Sequence, residues 1–213
     1  MSRSPSLCGV ILAAGASTRM GTDKALLPWP PAVPTQAILA ETFLSAAIRS
    51  LSLETDAVIV VAGENEGNLV PVVYANGACL VRNPAPERGQ FSSLQVGLQE
   101  VLNRGRDSAM ITLVDRPPAR LETIKRLREA FSAAPNEIWA VVPEYAGKHG
   151  HPYVAARELI EVFLKAPPTD TAREIEHQHQ EHIQYLGVDD PFVTMNVDTP
   201  QDYAALQNQP VLR

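Results

Sequence analysis

The stretch Leu12–Lys24, LAAGASTRMGTDK, decides how the rest of the chain is read. It follows an apolar run, Leu7-Cys8-Gly9-Val10-Ile11-Leu12, whose length and composition predict a fully buried strand. Small residues come next, Ala13, Ala14, Gly15, Ala16, Ser17 and Thr18, and then Gly21. A strand ending in small residues lets a ligand approach the main chain, and the free N–H groups of such a turn form a concave anion site. Arg19 adds a planar fork of donors for phosphate oxygens, and Lys24 a compact point charge. Together these parts describe a triphosphate cradle. The Walker A spacing is absent, because no lysine directly follows the second glycine, and G-x-G-x-x-G is absent altogether. The competing reading is an ordinary strand-to-loop turn with solvated cations.

With 213 residues, of which 45% are hydrophobic, the chain can bury one sizeable core, and one domain over residues 1–213 is expected. A net charge of −6 and a pI near 5.4 argue against a nucleic-acid backbone as partner, while leaving room for a local cationic pocket. Cys8 and Cys79 both sit in apolar strand-like runs and read as small buried hydrophobes, which fits a reducing cytoplasm. Arg3 and the run Leu7–Ala14 loosely mimic a secretory leader. The single cation and the reuse of that run in the cradle argue against one. No run approaches the roughly 20 apolar residues of a membrane helix. A soluble, unprocessed cytoplasmic protein is expected.

Outward from the cradle, apolar runs alternate with helical patterns. This predicts an α/β fold of three layers, a mostly parallel sheet with helices on both faces. Pro28, Pro30, Pro31 and Pro34 predict a stiff connector without regular structure, followed by a helix from near Thr35 with Ile38, Leu39, Phe43, Ala46 and Ala47 on one stripe. Asp56–Gly63 and Ala78–Val81 read as strands, and residues 65–76 as a short helix interrupted by Pro71. In NPAPERGQFSSL, from Asn83 to Leu94, Ser92 or Ser93 can cap a helix that buries Leu94, Leu98, Val101 and Leu102. Ala109–Asp115 is the clearest buried strand, with a carboxylate at its C-terminal end, where ligands of open α/β sheets bind. Asp115 is either a hard-cation ligand or the cap of the helix Leu121–Phe131. Trp139–Pro143 is a further strand, Ala155–Leu164 a helix, and Thr171 to Glu174 a capping box. His182–Val188 and Phe192–Val197 read as strands, a hairpin around Asp189-Asp190-Pro191. His177, His179 and His182 share no face and read as solvated, and no zinc spacing is present. Thr199 and Pro200 make a complete helix start that leaves Asp198 unexplained.

LAAGASTRMGTDKALLPW resembles the opening motif of the MobA-like nucleotidyltransferases, most of all their molybdenum cofactor cytidylyltransferase branch. Four further motifs stand in that family's order: N-P with a glycine and S-S-L (Asn83 to Leu94), L-x-D (Leu113 to Asp115), G-H-P (Gly150 to Pro152) and N-V-D-T-P (Asn196 to Pro200). The resemblance implies a Rossmann-like nucleotidyltransferase fold. It assigns nucleotide contacts to Leu12, Ala13, Ala14, Gly15, Arg19, Lys24, Asn83, Gly89, Ser92 and Ser93. It makes Asp115 and Asp198 the Mg²⁺ ligands, counts Arg19, Lys24 and Asp115 as catalytic, and puts His151 on the acceptor side. Asn196 replaces the family's first acid, which removes one negative charge from the site's edge. Residues 143 to 190 match least and carry the acceptor specificity.

The reaction implied moves a nucleoside monophosphate, CMP from CTP by the Ala14-Gly15 form of the motif, onto the phosphate of molybdopterin or its molybdenum-loaded form. Pyrophosphate leaves, and transient contact with a molybdoenzyme or its chaperone follows. No protein nucleophile is needed, and no Ser-His-Asp or Cys-His arrangement is present in the motifs. Two rivals stand beside it: a sugar- or polyol-phosphate nucleotidyltransferase, and a non-catalytic protein that binds nucleotide or pterin cofactor and hands it on.

Overall fold

Along Leu7–Leu12 the side chains alternate between two packed layers, because successive residues of a strand point to opposite faces. Leu7 and Ile11 join one core, and Cys8, Val10 and Leu12 the other. The computed structural model describes residues 6–31, 41–167 and 169–206. In chain order its elements are β1 (Leu7–Leu12), β2 (Pro28–Trp29), β3 (Glu41–Thr42), α1 (Phe43–Ser52), β4 (Ala57–Ala62), α2 (Glu66–Ala75), β5 (Cys79–Arg82), α3 (Gln90–Asn103) and β6 (Ser108–Leu113). Then follow α4 (Leu121–Ala133), β7 (Ala140–Tyr145), β8 (Lys148–His149), β9 (Tyr153–Ala156), α5 (Arg157–Lys165), α6 (Ala172–Gln178), β10 (Ile183–Gly187) and α7 (Pro200–Leu206).

The main sheet has the order β10-β7-β9-β6-β1-β4-β5, with β8 on β7 and the pair β2-β3 apart from it. β1 pairs in parallel with both β4 and β6, so the cradle leaves the middle of the sheet. Helices α1, α2 and α4 cover one face through Leu44, Ile48, Leu51, Leu69, Leu127 and Phe131. Helices α3, α5 and α6 cover the other through Leu94, Leu98, Leu159, Phe163 and Ile175. The expected three-layer α/β architecture is present. Gly97 sets the spacing of the second layer: a Cβ there would stand 2.8 Å from Val10 and 2.9 Å from Val61, so α3 lies against the strands by lacking one.

Several local expectations need correction. The proline-rich connector is not wholly irregular, since Pro28 and Trp29 pair with Thr42 and Glu41. The helix start near Thr35, with Ile38 and Leu39, lies outside the described residues; α1 begins at Phe43 behind a Thr42–Ser45 capping box. α2 runs through Pro71 without a break. The segment Ala155–Leu164 is two elements. Tyr153–Ala156, buried throughout, is a strand inserted antiparallel between β6 and β7, and the helix starts at Arg157. Phe192–Val197 is no strand, because Asp190 accepts from the Phe192 N–H and winds Pro191–Thr194 into a 3-10 turn. His182 is not free in solvent: it stacks on Trp139 at 3.7 Å and its Nδ1 meets the Glu137 carbonyl.

Candidate active site

The cradle is held by a few internal bonds that leave its tip open. Ala13 N–H donates to Val61 O, and the main-chain N–H groups of Met20 and Gly21 both reach Ser17 O. Ser17 takes φ 50, and its Oγ accepts from the Lys24 N–H at 3.2 Å. Gly15 and Ala16 are exposed, and among the described residues their N–H groups have no protein acceptor. Beneath the loop, Asn65 is a brace that the sequence reading missed. Its Nδ2 donates to Ala13 O at 3.0 Å and to Asp23 Oδ2 at 2.7 Å, while its Oδ1 accepts from Gly63 N–H. The signal was its place just past a strand that ends in a small residue.

Two carboxylates meet the cradle's cations. The Val114 N–H donates to Leu12 O, which sets the chain after β6 beside the cradle. The Val197 N–H donates to Asp115 O at 2.8 Å and so brings the distant C-terminal segment to the same edge. Lys24 Nζ lies 2.6 Å from Asp198 Oδ1 and 3.9 Å from Asp115 Oδ2, and Arg19 lies 3.2 Å from Asp198. Lys24 is buried, while the Arg19 side chain is 70% exposed and has room to move. The hydrogen bond from Lys24 holds the Asp198 carboxyl below its ordinary range. Burial raises the Asp115 carboxyl, against the pull of Lys24 and Arg116. Asp115 Oδ1 is buried with no hydrogen-bond partner. Asp115 caps no helix, since α4 starts behind Arg120. Asp202 accepts from the N–H groups of Asp198 and Thr199 and from the Thr199 hydroxyl, so the last helix start fixes the Asp198 main chain.

The loop before α3 forms the opposite wall. Neither serine is the helix N-cap, which is Gly89 at φ 93. Ser92 and Ser93 stand inside the first turn, and both hydroxyls accept from Asn83 Nδ2 at 2.9 Å. Asn83, only 2% exposed, lies beneath this wall and anchors it; its Oδ1 accepts from the Ala85 N–H. A cleft of about 250 Å³ opens between the walls, with Leu12, Ala14, Gly15, Lys24, Gly89, Ser93 and Asp115 on its lining. Ala13 and Ser92 are buried behind it. Ser17, Pro86 and Gln90 also line it and were not singled out from sequence.

A second cleft of about 720 Å³ shares Leu12, Gly89, Gln90 and Leu113 with the first and extends over β6 and β9 toward α6. His151 stands in it beside Arg116 and Tyr153. Burial, with Arg116 nearby, pushes the His151 imidazole down to about 3, so the ring is neutral at ordinary pH. Gly150 has a packing role, because a Cβ there would collide with the Val193 main chain. Tyr153 escaped the sequence reading because strand β9 did, while Arg116, after β6, and Glu176, on α6, stand in no motif that points to this cleft.

The donor set fits a hard divalent cation. Two carboxylates converge, one with an unpartnered buried oxygen, and Mg²⁺ takes one or two such ligands plus phosphate and water. A mostly parallel sheet whose strand ends carry an anion cradle facing paired carboxylates defines a nucleotide-handling α/β protein. The family model of the MobA-like NTP transferase domain matches residues 9–183, and the chain belongs to that family. It is similar to a probable molybdenum cofactor guanylyltransferase of Rhodopirellula baltica, 31% identical over 63% of this chain and 60% of that relative's length. It is also similar to the molybdenum cofactor cytidylyltransferase of Escherichia coli, 23% identical over 91% of this chain and 92% of that one. Among solved structures, Rv0371c of Mycobacterium tuberculosis superposes with a TM-score of 0.76 at 25% identity, over 95% of this chain and 98% of that one. A complex of Rv0371c with manganese superposes with a TM-score of 0.73, also at 25% identity, over 94% and 97% of the two chains.

Proposed function

We propose that residues 1–213 form one nucleotidyltransferase unit of the cytoplasm, which transfers CMP from CTP to the phosphate of molybdopterin or its molybdenum-loaded form. The observation that carries this reading is the meeting of Lys24, Arg19, Asp115 and Asp198 at the mouth of the cradle. The exposed amides at Gly15 and Ala16 receive phosphate oxygens. Lys24 and Arg19 turn from Asp198 toward the β- and γ-phosphates and carry the charge that builds on the departing pyrophosphate. The acceptor phosphate attacks the α-phosphorus, the bond to the pyrophosphate oxygen breaks, and no enzyme group is covalently modified. Catalysis is positioning and charge neutralisation. Asp115 and Asp198 would hold Mg²⁺, whose chemistry is to neutralise the phosphate oxygens of donor and acceptor. A manganese complex of a similar protein supports a divalent cation in this family. The second cleft, with His151, is the acceptor side, and the product passes by transient contact to a molybdoenzyme or its chaperone.

The second reading is guanylyl transfer, favoured by the relatives named guanylyltransferases. Ala14 lines the first cleft, and its methyl narrows the floor against a two-ring base by about 1–3 kcal/mol. Pyrophosphate release with CTP and GTP at equal concentration, Mg²⁺ and a molybdopterin acceptor tests the choice. CTP preference that relaxes in Ala14→Gly supports cytidylyl transfer, and GTP preference in the unmodified chain moves it to the guanylyl branch.

A further inference from the structure

The second cleft holds polar groups that the proposed chemistry does not use. Tyr153 is 4% exposed, and its hydroxyl has no hydrogen-bond partner in the described protein. Arg116 spends Nη1 on Val193 O at 2.7 Å, but its buried Nε is also unpartnered. Glu176, on α6, lines the same cleft half-buried, and no described residue donates to its carboxylate. Both line this cleft, where burial and then the Glu176 charge push the Tyr153 phenol up. Leaving such groups unpaired costs roughly 1–3 kcal/mol each, and more for a charge, unless a ligand satisfies them. Leu12, Leu94 and Leu113 give the same cleft an apolar lining. An apolar lining with a few unpartnered polar groups fits a heterocycle whose edge is read by hydrogen bonds.

We propose that Glu176 reads the 2-amino-4-oxo-pyrimidine edge of a bicyclic heterocycle bound in the second cleft, with the Tyr153 hydroxyl as its companion. A carboxylate accepts from two adjacent N–H groups at once, and that edge presents a ring N–H beside an exocyclic amine. Tyr153 both donates and accepts, so it serves the neighbouring ring nitrogen or oxygen. Two sources offer the edge: the pterin of the acceptor and the guanine of a donor nucleotide. The pterin is the occupant, because Glu176 lies on α6, outside the nucleotide loops, in a cleft whose lining contains none of Gly15, Ser17 and Lys24 of the phosphate cradle. This assignment rests on the nucleotidyl-transfer reading only for the acceptor's identity, and edge recognition is measurable without turnover.

The test is a fluorescence titration of the full chain with 6-hydroxymethylpterin, against its 2,4-dioxo analogue lumazine, which lacks the amine. The unmodified chain is expected to favour the pterin by roughly 10- to 100-fold, the range set by hydrogen bonds to a charged acceptor. Glu176→Gln should erase that preference, and Tyr153→Phe, which removes only the hydroxyl, should weaken the pterin with little change in melting temperature. Saturating CTP or GTP should leave pterin binding in place. Equal affinity for the two pteridines in the unmodified chain and in Glu176→Gln overturns the proposal. So does displacement of the pterin by GTP together with a raised KM for GTP in Glu176→Gln, which gives the cleft to guanine. Loss of pyrophosphate release with pteridine discrimination intact would sink the transfer reading and leave this site standing.

Discussion

Replacing Lys24 by methionine keeps most of the stem and removes the charge between Asp115 and Asp198. The ammonium is 2.6 Å from one carboxylate and 3.9 Å from the other, with only 11% of its side chain exposed. Breaking a fully buried ion pair costs about 3–5 kcal/mol, and an exposed pair contributes under about 1. Here the carboxylates keep 25% and 33% of their exposure, so the expected loss is intermediate, about 2 kcal/mol. For a chain of this size that lowers the melting temperature by roughly 4–8 °C. The facing carboxylates of Lys24→Met then repel one another, so Mg²⁺ should stabilise the variant more than the parent. Thermal melts in EDTA and across a Mg²⁺ series read both effects. A variant that melts within a degree of the parent in EDTA, or gains no more from Mg²⁺, refutes the idea that Lys24 holds the carboxylates as the metal's stand-in.

Asn65→Ala should loosen the cradle, because one amide holds Ala13 O, Asp23 Oδ2 and the Gly63 N–H. The expected cost is about 1–3 kcal/mol in stability, with a raised KM for the nucleotide and an unchanged KM for the acceptor, read by denaturation and steady-state kinetics. The pH dependence of stability carries two opposed slopes. His151, pushed down to about 3 from 6.5, refuses in the folded chain a proton that the unfolded chain binds, so stability falls as pH drops through that window. Glu176, pushed up to about 7 from 4.5, binds its proton first in the folded chain, so stability falls as pH rises from 4.5 to 7. Each slope is at most about 1.4 kcal/mol per pH unit, that of Glu176 reduced by its partial exposure. Glu176→Gln should therefore lose stability more steeply than the parent between pH 6.5 and 4.5; parallel curves in urea titrations would contradict the assignment.

The layers were legible because buried strands such as Leu7–Leu12 and Ser108–Leu113 are mostly apolar runs. Glycines carried less: Gly97 and Gly150 look like loose helix and loop residues until their neighbours Val10 and Val193 are known. Ala155 and Ala156, the end of the strand Tyr153–Ala156, read as the start of a helix because a short apolar run has no period that separates strand from helix. The unread strand is the one that brings Tyr153 to the second cleft. The phosphate cradle was visible in its small residues and cations, and Asp115 in its place after a strand. The brace at Asn65 and the buried place of Asn83 were not, since both depend on loops meeting across the sheet. Asn83 was assigned to the nucleotide from a motif, while its amide is engaged by Ser92, Ser93 and Ala85. Spacing predicts solvated histidines at positions 179 and 182, but Trp139, just before β7, supplies a ring surface that spacing alone does not reveal.

The most direct measurement is pyrophosphate release by the unmodified chain and by Asp115→Asn, with CTP or GTP, a molybdopterin acceptor and Mg²⁺. The unmodified chain should release pyrophosphate only when acceptor and divalent cation are both present. Asp115→Asn should slow release by roughly a thousandfold, the scale of several kcal/mol of metal-borne charge stabilisation, while nucleotide affinity in EDTA stays unchanged. Near-normal release by a folded Asp115→Asn, or none by the unmodified chain with either nucleotide, would contradict the account.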